Sequence, residues 1–167
     1  MATGEIRFSE VHTDGIANGE TVWYASHNNS TGGAATFSGA VDQAATCTIA
    51  LNKGNFNFIA NPYPVGLQLN NKEQADWSKA SGADNYNDAD KAWIWNPATS
   101  DYEKWFYYDD HGLNPDWTGF WDMATGEITF DSVHPDGLPV GTPLWFYANG
   151  TLGEGNTFDV TFKSPLK

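Results

Sequence analysis

At 167 residues the chain is long enough to bury most of its unfolded surface around one core without covalent staples. Eight Lys and Arg against twenty-one Asp and Glu give a formal charge of −13, which argues against nucleic acid and anionic membrane surfaces as partners, since both require a basic patch. A single cysteine, Cys47, excludes an intrachain disulfide and leaves the redox compartment open.

The first ten residues have neither the basic start nor the apolar stretch of a secretory signal, and no apolar run reaches the length of a membrane span. The expectation is a mature or trimmed chain, or one without a signal, that does not insert into a membrane. Gly4 to Gly15 read GEIRFSEVHTDG, and Gly126 to Gly137 read GEITFDSVHPDG. Gly19, Trp23 and Tyr24 then align with Gly141, Trp145 and Phe146, and ATFSGAV at Ala35 to Val41 aligns with VTFKSPL at Val160 to Leu166. Residues 4–41 therefore resemble 126–166, an internal repeat that speaks to architecture before chemistry. The domain reading is a single pseudo-repeat unit over 1–167, or two lobes dividing near residue 60 (about 1–60 and 61–167).

Short runs of Trp, Tyr, Phe, Thr and Val, punctuated by Gly, Asn, Asp and Pro, predict about ten strands and an all-β fold. In chain order they span 5–9, 21–26, 34–40, 46–51, 55–60, 92–96, 102–108, 127–131, 143–148 and 157–163. Strict alternation in the last of these sets Phe158, Val160 and Phe162 against Thr157, Asp159, Thr161 and Lys163, so one face is core and one is wet. Cys47 sits among alternating small residues and reads as a core side chain rather than a reactive thiol. The predicted architecture is an antiparallel two-layer β-sandwich with one short helix, placed at Asn71 to Ala80 with Trp77 as its anchor.

That segment runs into SGADNYNDAD, a polar stretch with the composition of an exposed loop. Asp84, Asp88 and Asp90, with Asn85 and Asn87, place oxygen ligands close together, as a calcium site would need. The spacing departs from a calcium-loop pattern, because Tyr86 and Ala89 occupy positions that should carry a ligand and a glycine. A solvated turn is the plainer reading, and no other cofactor is suggested.

An aromatic belt follows from Trp93 to Trp121, holding Trp93, Trp95, Trp105, Trp117 and Trp121 among tyrosines and acidic residues. Flat rings stack on the C–H faces of pyranoses while Asp, Asn and Glu accept hydroxyl hydrogen bonds, so the composition suits sugar as well as a β core. Trp105, Tyr107, Trp117 and Trp121 are the candidates for an exposed platform, whereas Trp93 and Trp95 share one strand face. The acidic residues here show no fixed carboxylate pair, and the histidines form no ligand motif. His12 and His134 fall at equivalent places before Thr13-Asp14-Gly15 and Pro135-Asp136-Gly137, which makes them turn residues of the repeat. With no nucleophile elbow, phosphate loop or zinc helix in the sequence, the expectation is a protein that is not an enzyme.

GNFNFIANPYP at Gly54 to Pro64, followed by AWIWNPATSDYEKW at Ala92 to Trp105 and LPVGTPLWFYANGT at Leu138 to Thr151, carries a resemblance. The order is similar to that of the G-x-N-x-I-x-N-P-Y-P modules of large secreted or cell-surface proteins of environmental bacteria, and covers most of the chain. Asn55 and Phe56 stand where such modules commonly have Gly-Trp. The resemblance implies an extracellular or cell-surface all-β module and carries over no catalytic or ligand residue. Two readings follow. One is a noncatalytic structural or adhesive module that associates with itself, into filaments or a surface layer, or with other surface proteins. The other is a carbohydrate-binding module that takes polysaccharide on the aromatic belt.

Overall fold

The computed structural model describes residues 13–15, 45–110, 113, 115–149 and 155–165. Eight strands follow in chain order: β1 (Thr46–Asn52), β2 (Phe56–Ala60), β3 (Ala75–Asp76), β4 (Lys91–Asn96), β5 (Asp101–Tyr108), β6 (Gly119–Asp122), β7 (Pro143–Tyr147) and β8 (Thr157–Lys163). One α-helical turn, α1 (Phe130–Val133), separates β6 from β7, and a short 3-10 turn (Pro115–Trp117) precedes β6. The strands form a three-stranded sheet in the order β1-β8-β3 and a five-stranded sheet in the order β2-β7-β4-β5-β6. All named pairings are antiparallel.

Alternation explains the layering. Leu51, Val160 and Phe162 from the smaller sheet meet Ile59, Ile94, Leu144, Phe146, Trp105 and Phe120 from the larger one in a single buried cluster. Each strand thus turns one row of side chains inward, as a two-layer sandwich requires. Cys47 packs against this core, as its alternating context predicts. Strands on either side of residue 60 share both sheets, since β1 pairs with β8 and β2 with β7. The second copy of the repeat supplies one strand to each sheet, β7 to the larger and β8 to the smaller.

The Asn61-Pro62-Tyr63-Pro64 turn locks the layers together. Asn61 Oδ1 accepts from the Tyr63 N–H at 2.9 Å, while its amide donates to the Val65 and Leu138 carbonyls. Tyr63 is buried and its hydroxyl donates to the Phe162 carbonyl on β8 at 2.9 Å. A polar group placed in the core is therefore matched, which buried polar atoms require.

The helix expected over 71–80 does not form. Asn71 instead closes a turn, its carbonyl accepting from the Gln74 and Ala75 N–H groups and its side chain from Glu73, after which Ala75 and Asp76 pair with β8. A ten-residue helix is marginal in water, and local Asn and Asp hydrogen bonds compete with it successfully. The strand expected over 127–131 is reduced to a bridge between Thr129 and Trp121, and Phe130 then enters α1, the one α-helical turn of the described residues. Strands expected over 5–9, 21–26 and 34–40, together with His12, lie outside the described residues. Of the first repeat copy only Thr13 to Gly15 is described, and its turn places Gly15 at φ +82°, against +78° for Gly137 in the second copy.

Candidate functional site

The register of the five-stranded sheet sorts its outward side chains into rows. Phe58, Trp145, Trp93 and Lys104 stand directly opposite one another on β2, β7, β4 and β5. Phe56, Tyr147, Lys91 and Phe106 form the next row. Their partners one position along, including Asn57, Leu144, Ile94 and Ala92, are buried against the other sheet. With neighbouring strands about 4.8 Å apart, each row sets three rings and one lysine side by side across the sheet.

The rings brace one another. Phe58 stacks on Trp145 at 4.4 Å between centroids, Phe56 lies 5.4 Å from Trp93 and 5.0 Å from Tyr147, and Trp95 meets Tyr102 edge-on at 5.1 Å. Even so, Phe56 is 58 % exposed and Trp95 45 % exposed. Between them Phe58, Trp95, Tyr102, Pro143 and Trp145 line an open groove of about 320 Å³, at the small end of ligand sites. A contiguous array of half-buried and exposed aromatics held by a rigid sheet suits a recognition surface, because large apolar patches are rare on soluble monomers and ordered rings lose little entropy on binding.

The same face is closed at its other end. Phe106 is buried with Ala83 and Ala89, and half-buried Tyr108, Trp121 and Met123 pack around them. The loop over 81–90 is fastened there by Asp90, which is fully buried; its carboxylate accepts from the Ser81 N–H at 2.8 Å and the Asn149 N–H at 2.6 Å. Burial pushes the Asp90 carboxyl above the usual range, opposed by those two hydrogen bonds and by Lys91. Lys91 donates to the Asn87 and Ala89 carbonyls and lies 5.5 Å from the Tyr147 ring, and burial holds its ammonium below its ordinary value against the pull of Asp90 and Asp88.

The four residues expected to form an exposed platform are divided by the fold. Trp105 and Tyr107 occupy the inward row of β5 and are 2 % and 9 % exposed, so the expectation of exposure is corrected for both. Trp105 packs edge-on against Phe130, and burial first, then Asp109, Asp76 and Asp90, pushes the Tyr107 phenol up to about 12. Trp117 is 52 % exposed but sits on the turn before β6, where its carbonyl accepts from the half-buried Trp121 indole at 2.7 Å. Neither belongs to the groove. The platform residues that sequence reasoning missed are Phe56, Phe58, Trp145 and Tyr147, and it placed Trp93 and Trp95 together without selecting them.

Asp84, Asp88 and Asp90 do not converge. Asp84 and Asp88 both accept from the Asn85 amide at 3.0 Å, whereas Asp90 turns inward to Ser81 and Asn149. Among the described residues no group of three or more His, Cys, Asp or Glu side chains is arranged to hold a metal ion. His134 caps α1, stacks on Phe130 at 4.6 Å and places Nε2 2.6 Å from Glu103 Oε2, so it serves the turn as its place in the repeat predicts. A second cleft, of about 480 Å³, lies at the β3 and β6 edges with Asp76, Ser78, Tyr107 and Asp109 among its walls.

No family model matches the chain, and it matches no curated protein and no solved structure.

Proposed function

We propose that this protein is a noncatalytic binding module that holds polysaccharide on the outer face of its five-stranded sheet. The observation that carries this reading is the exposure of Phe56 and Trp95 within a braced aromatic array. A pyranose ring presents a flat C–H face that matches an aromatic ring, and a polymer can lie across successive rows. The groove beside Trp95 offers little to fix a single small molecule but accommodates a chain passing over it. Placement outside the cell, implied by the resemblance of the NPYP segment, belongs to this reading and makes the module adhesive.

The test is binding of soluble polysaccharides by affinity electrophoresis and tryptophan emission, with Trp95→Ala as the variant. Trp95 is exposed, so its loss leaves the fold intact, and binding should weaken about tenfold or more, equivalent to about 1.4 kcal/mol. Unchanged affinity in Trp95→Ala and Phe56→Ala would reject this face. Ordered polymers of the unliganded protein, seen by light scattering and negative-stain microscopy and abolished by the same substitutions, would instead assign the face to self-association.

A further inference from the structure

We infer that the polymer recognised by this face is anionic, built from uronic-acid pyranoses whose carboxylates meet Lys104 and Lys91; the inference rests on the polysaccharide reading above. The chain has twenty-one acidic residues and eight basic ones, yet the charged residues on the outward rows of the described five-stranded sheet are these two lysines. The rows carry no carboxylate. Charge on this face is thus opposite to the net charge of the protein.

Position makes the charge usable. Lys104 stands directly across from Trp93, and Lys91 lies two residues before Trp93 on the same strand and the same face. The backbone spacings are about 4.8 Å and about 7 Å, so a ring resting on Trp93 has one lysine position beside it and a second at its end. A uronate bears its carboxylate on a ring carbon, which puts the negative charge at the rim of the stacked ring, within reach of both lysines.

The nearby acidic groups do not neutralise Lys104. Glu103 points to the opposite face and is held by His134 and Asn96, at 2.6 and 2.8 Å. Asp122 accepts from the Ala124 and Thr125 N–H groups, both at 2.9 Å. Asp88 and Asp90, which attract Lys91, are themselves held by Asn85 and by Ser81 and Asn149. Lys104 is exposed, and its ammonium makes no ion pair with the described residues. The net charge of −13 repels a polyanion at long range, but the Debye length of about 8 Å at physiological salt leaves the outcome to contacts on the face itself.

The experiment compares an equatorially linked polyglucuronate, its methyl ester and dextran sulfate at physiological ionic strength, using the full chain, Lys104→Gln and Trp95→Ala. Lys104 is the cleaner choice because Lys91 also ties down the loop over 81–90. The polyglucuronate should bind about tenfold more tightly than the ester, and Lys104→Gln should remove most of that difference without weakening the ester. Equal binding of acid and ester, both lost in Trp95→Ala, would overturn the charge inference and leave the polysaccharide reading intact. Dextran sulfate binding as tightly as polyglucuronate and indifferent to Trp95→Ala would overturn it in favour of simple charge attraction. Binding of none of the three would overturn the inference; failure of neutral glucans as well would remove the reading beneath it.

Discussion

The outer face of the five-stranded sheet has two ends built from the same strands and the same alternation, with opposite fates. Phe106 on β5 is 4 % exposed, sealed beneath the loop over 81–90, while Phe56, in the same cross-strand row on β2, is 58 % exposed. Hydrophobicity does not distinguish them, since both are phenylalanines on one face. What distinguishes them is the fully buried Asp90, which pins a loop over one end of the face. The comparison separates rings retained for the core from rings available to a partner.

The two phenylalanines should differ most in what they contribute to stability. Phe106→Ala removes a fully packed ring and should cost about 3–5 kcal/mol in urea unfolding. Phe56→Ala should cost under about 1 kcal/mol, because the ring is already largely in water. Equal losses would mean that Phe56 is covered in solution, and the binding face would then be misplaced.

A smaller effect tests the pin itself. Asp90→Asn keeps the shape but turns one acceptor into a donor, leaving either the Ser81 or the Asn149 N–H without its partner, at about 1–3 kcal/mol. Burial raises the Asp90 pKa above the ordinary 3.8, so the folded chain takes up a proton more readily than the unfolded one. The sign follows: relative to Asp90→Asn, the natural chain gains stability as pH falls from above the raised value, and the gain is complete below 3.8. Asp76, held below its ordinary value chiefly by hydrogen bonds from Ser78, shifts stability the other way but cancels in this comparison. Denaturant titrations of both proteins across the acid range measure the gap, and a gap that narrows on acidification would contradict the assignment.

Much of the fold was legible because period-two alternation survives folding. The strands expected over 46–51, 55–60, 92–96, 102–108, 143–148 and 157–163 match β1, β2, β4, β5, β7 and β8 to within a residue or two. β3 and β6 escaped notice, being only two and four residues long. Alternation gives two faces per strand but does not say which one meets the second sheet, which is why Trp105 and Tyr107 were expected outside. The platform was illegible for a further reason. Phe56, Trp93 and Trp145 lie far apart in the chain, and only the pairing of β7 with both β2 and β4 brings them together. Local order misled at 71–80, where helix-forming composition lost to the turn at Asn71 and the pairing of Ala75 with β8.

Tryptophan emission distinguishes the two sets of rings without disturbing the fold. Trp95 and Trp117 are 45 % and 52 % exposed, while Trp77 and Trp105 are 4 % and 2 % exposed. Acrylamide reaches only the accessible indoles, so Trp95→Phe should reduce the quenchable share of the emission, whereas Trp105→Phe should leave that accessible component in place. Polysaccharide bound on the sheet face should protect the Trp95 component and leave Trp117, which lies outside the groove, open to quencher. Protection that persists in Trp95→Phe but disappears in Trp117→Phe would move the site from the sheet face to the turn before β6. The two sets of rings are thus separable in solution, because a ligand on the platform changes one exposed tryptophan and spares the other.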